Sequence, residues 1–233
     1  MNVIITGASR GIGRGIATAL ARRGHTIGAI ARSHADLAEL ASQILSAGGI
    51  CHTAVADVSS QAECEIAVAA LTAQLGHVDA LVNNAGMIIR QDVMTIAPDD
   101  WRAMMATNIN GVFYMCRATI PAMIARGSGH IVNISSISGR LPLAGGSGYA
   151  ASKYAVTGFS ESLFLELREH GIKVTVVFPG SVDTASHRHD PAVDASWKVA
   201  PEDVGEAIHS LLATPANTCV SRLEIRPLQA PKR

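Results

Sequence analysis

Thr6-Gly7-Ala8-Ser9-Arg10-Gly11-Ile12-Gly13 is the stretch that decides how this chain folds. A short apolar run at 3–5 leads into it, and a helical pattern at 13–23 leaves it. Glycines at such a junction let the backbone turn tightly from strand to helix. They also let an anion approach the unpaired amide N–H groups of the helix's first turn. Gly7, Ser9, Arg10, Gly11, Ile12 and Gly13 are therefore candidate residues of a phosphate cradle. The spacing is Gly-x-x-x-Gly-x-Gly, not G-x-G-x-x-G. A glycine-rich turn with no ligand stays open on these residues alone.

Outward from this loop, apolar runs at 25–31, 50–55, 78–82, 130–134 and 173–178 alternate with helical patterns. The helical patterns cover 36–47, 61–75, 108–126 and 148–169, and another helix opens at Pro201-Glu202-Asp203. Strands separated by helices of this length imply right-handed crossovers and a parallel sheet covered on both faces. The expected fold is α/β, a single Rossmann-type doubly wound parallel sheet with helices on both faces. The last run, 222–226, alternates Leu223 and Ile225 with Arg222, Glu224 and Arg226, a pattern suited to a sheet edge. No repeat or linker interrupts the pattern, so one domain over residues 1–233 is expected.

Composition narrows the function. Lys plus Arg is 19 and Asp plus Glu is 19 in 233 residues, which argues against a general grip on nucleic acid or anionic lipid. Hydrophobic residues are 48% and charged residues 16%, too apolar for a disordered chain. No apolar run approaches the ~18 residues of a membrane span. The first residues enter a strand without a basic or apolar leader, and Cys51, Cys64, Cys116 and Cys219 are scattered. A cytoplasmic protein with free thiols is expected.

The second strand ends at Ala31-Arg32-Ser33. An acidic residue here would bond a ribose 2′-hydroxyl and repel a 2′-phosphate. Ala31 removes that repulsion, and Arg32 offers a fork of donors, with Arg10 able to close from the other side. This pair favours NADP(H) over NAD(H), against the alternative of two solvated arginines. Asp57, with Val58 beside it, follows the third strand and is placed to accept from an adenine amino group, or to cap a helix.

Tyr149 and Lys153 stand at i and i+4, on one helix face. A neighbouring ammonium favours the phenolate and is expected to lower the phenol's pKa from ~10, making Tyr149 a general acid or base. Ser136 lies thirteen residues before Tyr149, at the end of a buried strand, where it can donate to a substrate carbonyl. Ser135 competes for that role or serves as a turn hydroxyl.

Thr6 to Gly13, Asp57, Asn83-Asn84-Ala85-Gly86, Asn108, Ser136, Tyr149 with Lys153, and Pro179-Gly180-Ser181-Val182-Asp183-Thr184 stand in order along the chain. In this the sequence resembles the short-chain dehydrogenases/reductases over nearly its full length. The resemblance implies that Tyr149 is the proton donor in reduction, and that Lys153 lowers its pKa and holds the nicotinamide ribose. Ser136 would polarise the carbonyl; Asn108 would kink its helix and anchor a water. Asn83, Ala85 and Gly86 would line the adenine-ribose side. Pro179, Gly180, Val182 and Thr184 would lie at the nicotinamide, Val182 and Thr184 holding its carboxamide.

Sixteen residues separate Thr184 from Pro201, a short substrate lid at about 185–200 that predicts an open pocket. Met87, Leu141, Leu143 and Trp197 are candidate apolar walls or core residues. His187, Arg188, His189 and Asp190 do not have convincing metal-ligand spacing, so no metal is expected. Val156, Phe159, Leu163 and Leu167 form one helical stripe, with Phe164 and Leu165 off it. A second apolar face predicts pairing between copies, and the resemblance implies a dimer or tetramer. The expected activity is NADP(H)-dependent interconversion of a small carbonyl compound and its alcohol. Two rivals remain. One is a 3-oxoacyl-carrier-protein reductase, for which Arg126 and Arg168 lie near the docking positions at Gly127 and His170. The other is a non-catalytic NADP(H)-binding sensor or scaffold.

Overall fold

The computed structural model describes residues 1–184 and 195–229. One seven-stranded sheet has the order β3-β2-β1-β4-β5-β6-β7. The strands are β1 Asn2–Thr6, β2 Thr26–Ala31, β3 Ile50–Val55, β4 Ala80–Asn83, β5 Gly129–Ile134, β6 Ile172–Pro179 and β7 Arg222–Ile225. Every pairing is parallel. This is the Rossmann-type doubly wound sheet expected from the alternation of strands and helices.

Burial on both faces explains the continuous apolar runs. In β1, Val3 and Ile5 pack into one core with Ile16, Leu20, Leu37, Leu40, Val204 and Ile208. Ile4 points the other way, into a core with Leu71, Met115, Val156, Leu163 and Leu167. The first core is closed by α1 (Gly11–Arg22), α2 (His34–Ser46) and α7 (Pro201–Leu212). The second is closed by α3 (Gln61–Leu75), α5 (Gly111–Arg126) and α6 (Ser147–Leu167), with α4 (Pro98–Met105) leading into α5. β7 is half-exposed, as its alternation predicts for an edge.

Local chemistry sets the helix ends. Ser33 Oγ accepts from Asp36 N at the start of α2, and Ser60 Oγ accepts from Glu63 N at the start of α3. Prolines open α4 and α7, where an amide N–H has no helical partner to lose.

Two features differ from the sequence expectation. A helix was expected to begin at 108, yet helix starts ten residues earlier, at Pro98. α4 buries only Met104, so it carries no apolar period to read. Between α4 and α5, Ala106–Asn110 is π-helical, which accommodates the kink implied at Asn108. Phe164 also departs from expectation: it is half-buried against the second core, while Leu165 stays 60% exposed.

α1 and α7 pack with almost no side chain between them. A Cβ on Gly205 would lie 2.5 Å from Ala19 Cβ and 3.0 Å from Ile16 Cα. Gly205→Ala should therefore lower stability by roughly 1–3 kcal/mol, although alanine favours helix, because two backbones must separate. Urea unfolding measures this; unchanged or increased stability would show that the contact can relax.

Candidate active site

The loops after β1, β4, β5 and β6 converge at the carboxyl edge of the sheet. β1 lies between β2 and β4, so its loop borders the crevice where the strand order reverses. Gly7 and Gly11 have left-handed backbones, φ 63° and 56°. A Cβ on Gly13 would sit 2.2 Å from Gly7 O and 2.4 Å from Asn84 Nδ2. The loop is therefore folded too tightly for side chains at these positions. Ser9 is half-buried on it, and Ile12 packs against the first core. Arg10 is exposed at the N-cap of α1, extended and without a side-chain cap bond. The first-turn amides thus have no such acceptor, and this backbone cradle fits a pyrophosphate.

Thr6 and Asn84, from two separate motifs, bond each other and hold the cradle in place. Thr6 Oγ1 accepts from Asn84 N and Ala85 N, each at 3.0 Å. Asn84 Nδ2 donates back to Thr6 O at 3.0 Å and Gly7 O at 3.2 Å. Asn83 turns into the core, donating to Asn133 Oδ1 at 2.9 Å, so its side chain acts on the sheet. Gly86 lies beside Asn108 and Lys153; a Cβ there would be 3.4 Å from Asn108 Oδ1 and 3.5 Å from Lys153 Nζ.

At the outer end of the crevice Arg32 is 68% exposed and lies 3.7 Å from Asp57 Oδ2. Ala31 is buried and no carboxylate ends β2. Asp57 does not cap α3: Ser60 does, and Glu63 reaches back to Asp57 N at 2.8 Å. Asp57 instead accepts from Ser59 N and Ser59 Oγ. Burial opposes ionisation there, but the Ser59 bonds and the Arg32 charge hold the carboxyl below its ordinary range. Val58 is buried against Gly111, at 2.8 Å from a Cβ built there.

The inner end brings Asn108, Ser136, Tyr149 and Lys153 together. Asn108 Oδ1 accepts from Met87 N at 2.7 Å, and its Nδ2 donates to Met87 O and Ser152 Oγ, both at 2.9 Å. Lys153 is buried and its Nζ donates to Ile134 O at 2.9 Å. An ammonium has three donors, so two remain for a hydroxyl-bearing ligand such as a ribose. Ser136 Oγ accepts from Ser138 N at 3.1 Å and stands near enough to the Tyr149 phenol to favour its ionised form. Ser135 is excluded from that role: its hydroxyl donates to Lys153 O at 2.9 Å and meets Thr157 Oγ1 at 3.1 Å.

One expectation is reversed. Burial pushes the Tyr149 phenol above its ordinary value, and Ser136 and the Arg90 charge only partly offset this. The lowering expected from Lys153 is not seen, because burial disfavours the charged forms of both groups. The same desolvation brings the Lys153 ammonium down to about 8.

The strand end after β6 closes the site. Gly180 N donates to Ile225 O at 2.7 Å, which holds the Pro179-Gly180 turn against β7. Val182 bridges Val199, and Thr184 Cγ2 would lie 3.4 Å from a Cβ on Gly11. Thr184 therefore sits beside the cradle. Leu143 packs over Gly146 near Tyr149, whereas Leu141 is 47% exposed. Trp197 lines a separate surface recess with Lys198, Asp203, Arg226 and Leu228. Trp101, which carried no motif signal, packs on Gly148 at the start of α6. His187, Arg188, His189, Asp190 and most of the expected lid lie outside the described residues.

A glycine cradle at the switch point and buried Tyr149, Lys153 and Asn108 beyond it, with half-buried Ser136, define a dinucleotide-dependent oxidoreductase site. The sequence pattern of the short chain dehydrogenase family matches residues 1–193, and the chain belongs to that family. It is 34% identical to an NADP-dependent 3-hydroxy acid dehydrogenase of Escherichia coli K12, over 98% of this chain and 95% of that protein. A closed form of serine dehydrogenase complexed with NADP+ superposes with a TM-score of 0.90 at 34% identity, covering 99% of this chain and 96% of that one. A metagenomic short-chain oxidoreductase in complex with NADP gives 0.86 at 32% identity, covering 99% and 98%.

The depressed Lys153 value sets a pH dependence. Below about pH 8 the folded and unfolded chains both carry the proton, and the folded chain bears the full cost of burying it. Between about 8 and the ordinary 10.5, only the unfolded chain keeps it, and the cost falls as pH rises. Lys153→Met should therefore raise Tm over wild type most near about pH 7, the gap shrinking towards about pH 10. Melts of both cofactor-free proteins test this, and a gap that widens with pH would contradict it.

Proposed function

We propose that this chain is an NADP(H)-dependent oxidoreductase that interconverts a small carbonyl compound and its alcohol, acting as a single-domain cytoplasmic enzyme. The observation that carries the reading is buried Lys153, held by Ile134 O one helical turn from buried Tyr149, with Ser136 near the phenol and the glycine cradle on a neighbouring loop. The pyrophosphate would rest on Gly7 to Gly13, the 2′-phosphate at Arg32 and Arg10, and the adenine near Asp57 and Val58. Asn83, Ala85 and Gly86 would border the adenine ribose. Lys153 would hold the nicotinamide ribose through its two remaining donors, and Pro179, Gly180, Val182 and Thr184 would border the nicotinamide.

When bound, the dinucleotide supplies or accepts the hydride. Ser136 Oγ and the Tyr149 hydroxyl both donate to the substrate carbonyl oxygen, polarising it. Tyr149 gives its proton to that oxygen in reduction and takes one from the alcohol in oxidation. Asn108 acts on position: by clamping both backbone groups of Met87 and bonding Ser152, it locks the loop after β4 against α6. A protonated phenol is the required form for reduction, and burial favours that form.

The carrier-protein reading is disfavoured by Arg126. Its guanidinium is folded back onto Val78 O at 2.7 Å and Ser128 O at 3.1 Å rather than presented outward. Small free carbonyls fit better. α5 and α6 also leave Phe113, Tyr154 and Leu165 exposed, which supports pairing of copies into a dimer or tetramer.

Tyr149→Phe should lower turnover about 100- to 10,000-fold while NADPH still binds. Absorbance assays on a panel of ketones and aldehydes, with NADPH fluorescence titration, measure both. A fully active phenylalanine variant refutes the role. Arg32→Ala should weaken NADPH by at least about 10-fold and leave NADH nearly unchanged. Equal losses for the two would remove the 2′-phosphate assignment.

A further inference from the structure

Arg90 lies on the loop after β4, beyond every motif residue. A Cβ on Gly146 would be 3.7 Å from Arg90 Cγ and 2.6 Å from Leu143 Cδ2. Gly146 is the residue before α6 and stands three positions ahead of Tyr149. Arg90 Cγ therefore lies beside the residue that opens α6, one turn before Tyr149, and its charge reaches the phenol.

The guanidinium is exposed and has no hydrogen bond or ion pair among the described residues. Arg14, Arg23, Arg32 and Arg140 are each held by a carboxylate. Asp92, on the same loop, brings Oδ1 within 3.7 Å of a Cβ on Gly145, yet forms no ion pair with Arg90. A planar fork of donors near the Tyr149 phenol, unclaimed by any described residue, suits a planar anion.

A 3-oxo acid has its carboxylate two bonds from the reacting carbon. One small molecule can thus place its carbonyl oxygen at Ser136 and Tyr149 and its carboxylate at Arg90. We propose that Arg90 recognises the substrate's carboxylate, so that the site takes small 3-oxo and 3-hydroxy acids in preference to neutral ketones. This rests on the reading of Ser136 and Tyr149 as the carbonyl-binding pair.

The test compares acetoacetate with its neutral methyl ester, under NADPH, for wild type, Arg90→Met and Arg90→Lys. The acid-to-ester ratio of kcat/KM should fall at least about 30-fold in Arg90→Met, mainly through KM for the acid, with partial recovery in Arg90→Lys. A ratio within about 3-fold of wild type, or no wild-type preference for the acid, overturns the proposal. A second measurement needs no turnover. Butyrate, which cannot be reduced, should perturb the fluorescence of protein-bound NADPH in wild type and do so more weakly in Arg90→Met. Equal titrations, including no response in either, overturn the anion site. If butyrate discriminates but no carbonyl is turned over, the anion site stands and the oxidoreductase reading fails. If ester and acid are reduced alike, the reverse holds.

Discussion

The structure depends on the joint between the ends of β1 and β4. Thr6 and Asn84 exchange bonds in both directions: one hydroxyl accepts two amides, and one side-chain amide serves two carbonyls. The two strands are neighbours with loops leaving towards different helices, so this joint spans the point where the sheet changes direction. It also draws the glycine loop so close to the loop after β4 that Gly7 and Gly13 have no space for a Cβ. On the same loop, α1 starts with no side-chain cap, and Thr184 stands beside Gly11.

A second constraint acts within the α3, α5 and α6 layer. Asn83, Asn133, Ser160, Asn108, Ser152 and Lys153 are all buried. A buried amide or ammonium is costly unless bonded. Asn83 bonds Asn133, which bonds Ser160, while Asn108 ties Met87 to Ser152. Two groups are left incomplete: Asn83 Oδ1 has no partner among the described residues, and Lys153 has one acceptor for a group that can serve three. Burial lowers the Lys153 pKa, and its unspent donors support the proposed contact with a cofactor hydroxyl.

Much of this was legible in the chain. Strand–helix alternation fixed the sheet, and Tyr149, Lys153 and the end of β5 fixed where the polar cluster falls. Ser136 rather than Ser135 was implied by the family resemblance and not by spacing, because adjacent hydroxyls differ only in which way each strand-end residue faces. The short α4 escaped because it buries one side chain, and the Thr6–Asn84 joint because it depends on contacts across more than seventy residues. The direction of the Tyr149 shift was misjudged for a physical reason. Spacing reveals a neighbouring charge, but desolvation is a property of everything packed around a group.

That reversal has a mechanistic meaning. A phenol acidified in the resting chain would lose its proton to solvent before substrate arrived, and would then be a base without a task. Burial instead raises the Tyr149 phenol above its ordinary value, with Ser136 and the Arg90 charge partly opposing the shift. On the proposed reading the free site is preset as a proton donor, and a further positive charge arriving nearby would favour the phenolate. An oxidised nicotinamide carries such a charge and a reduced one does not. In the proposed reaction, the redox state of the bound cofactor would therefore select the form of Tyr149 that its own hydride chemistry requires.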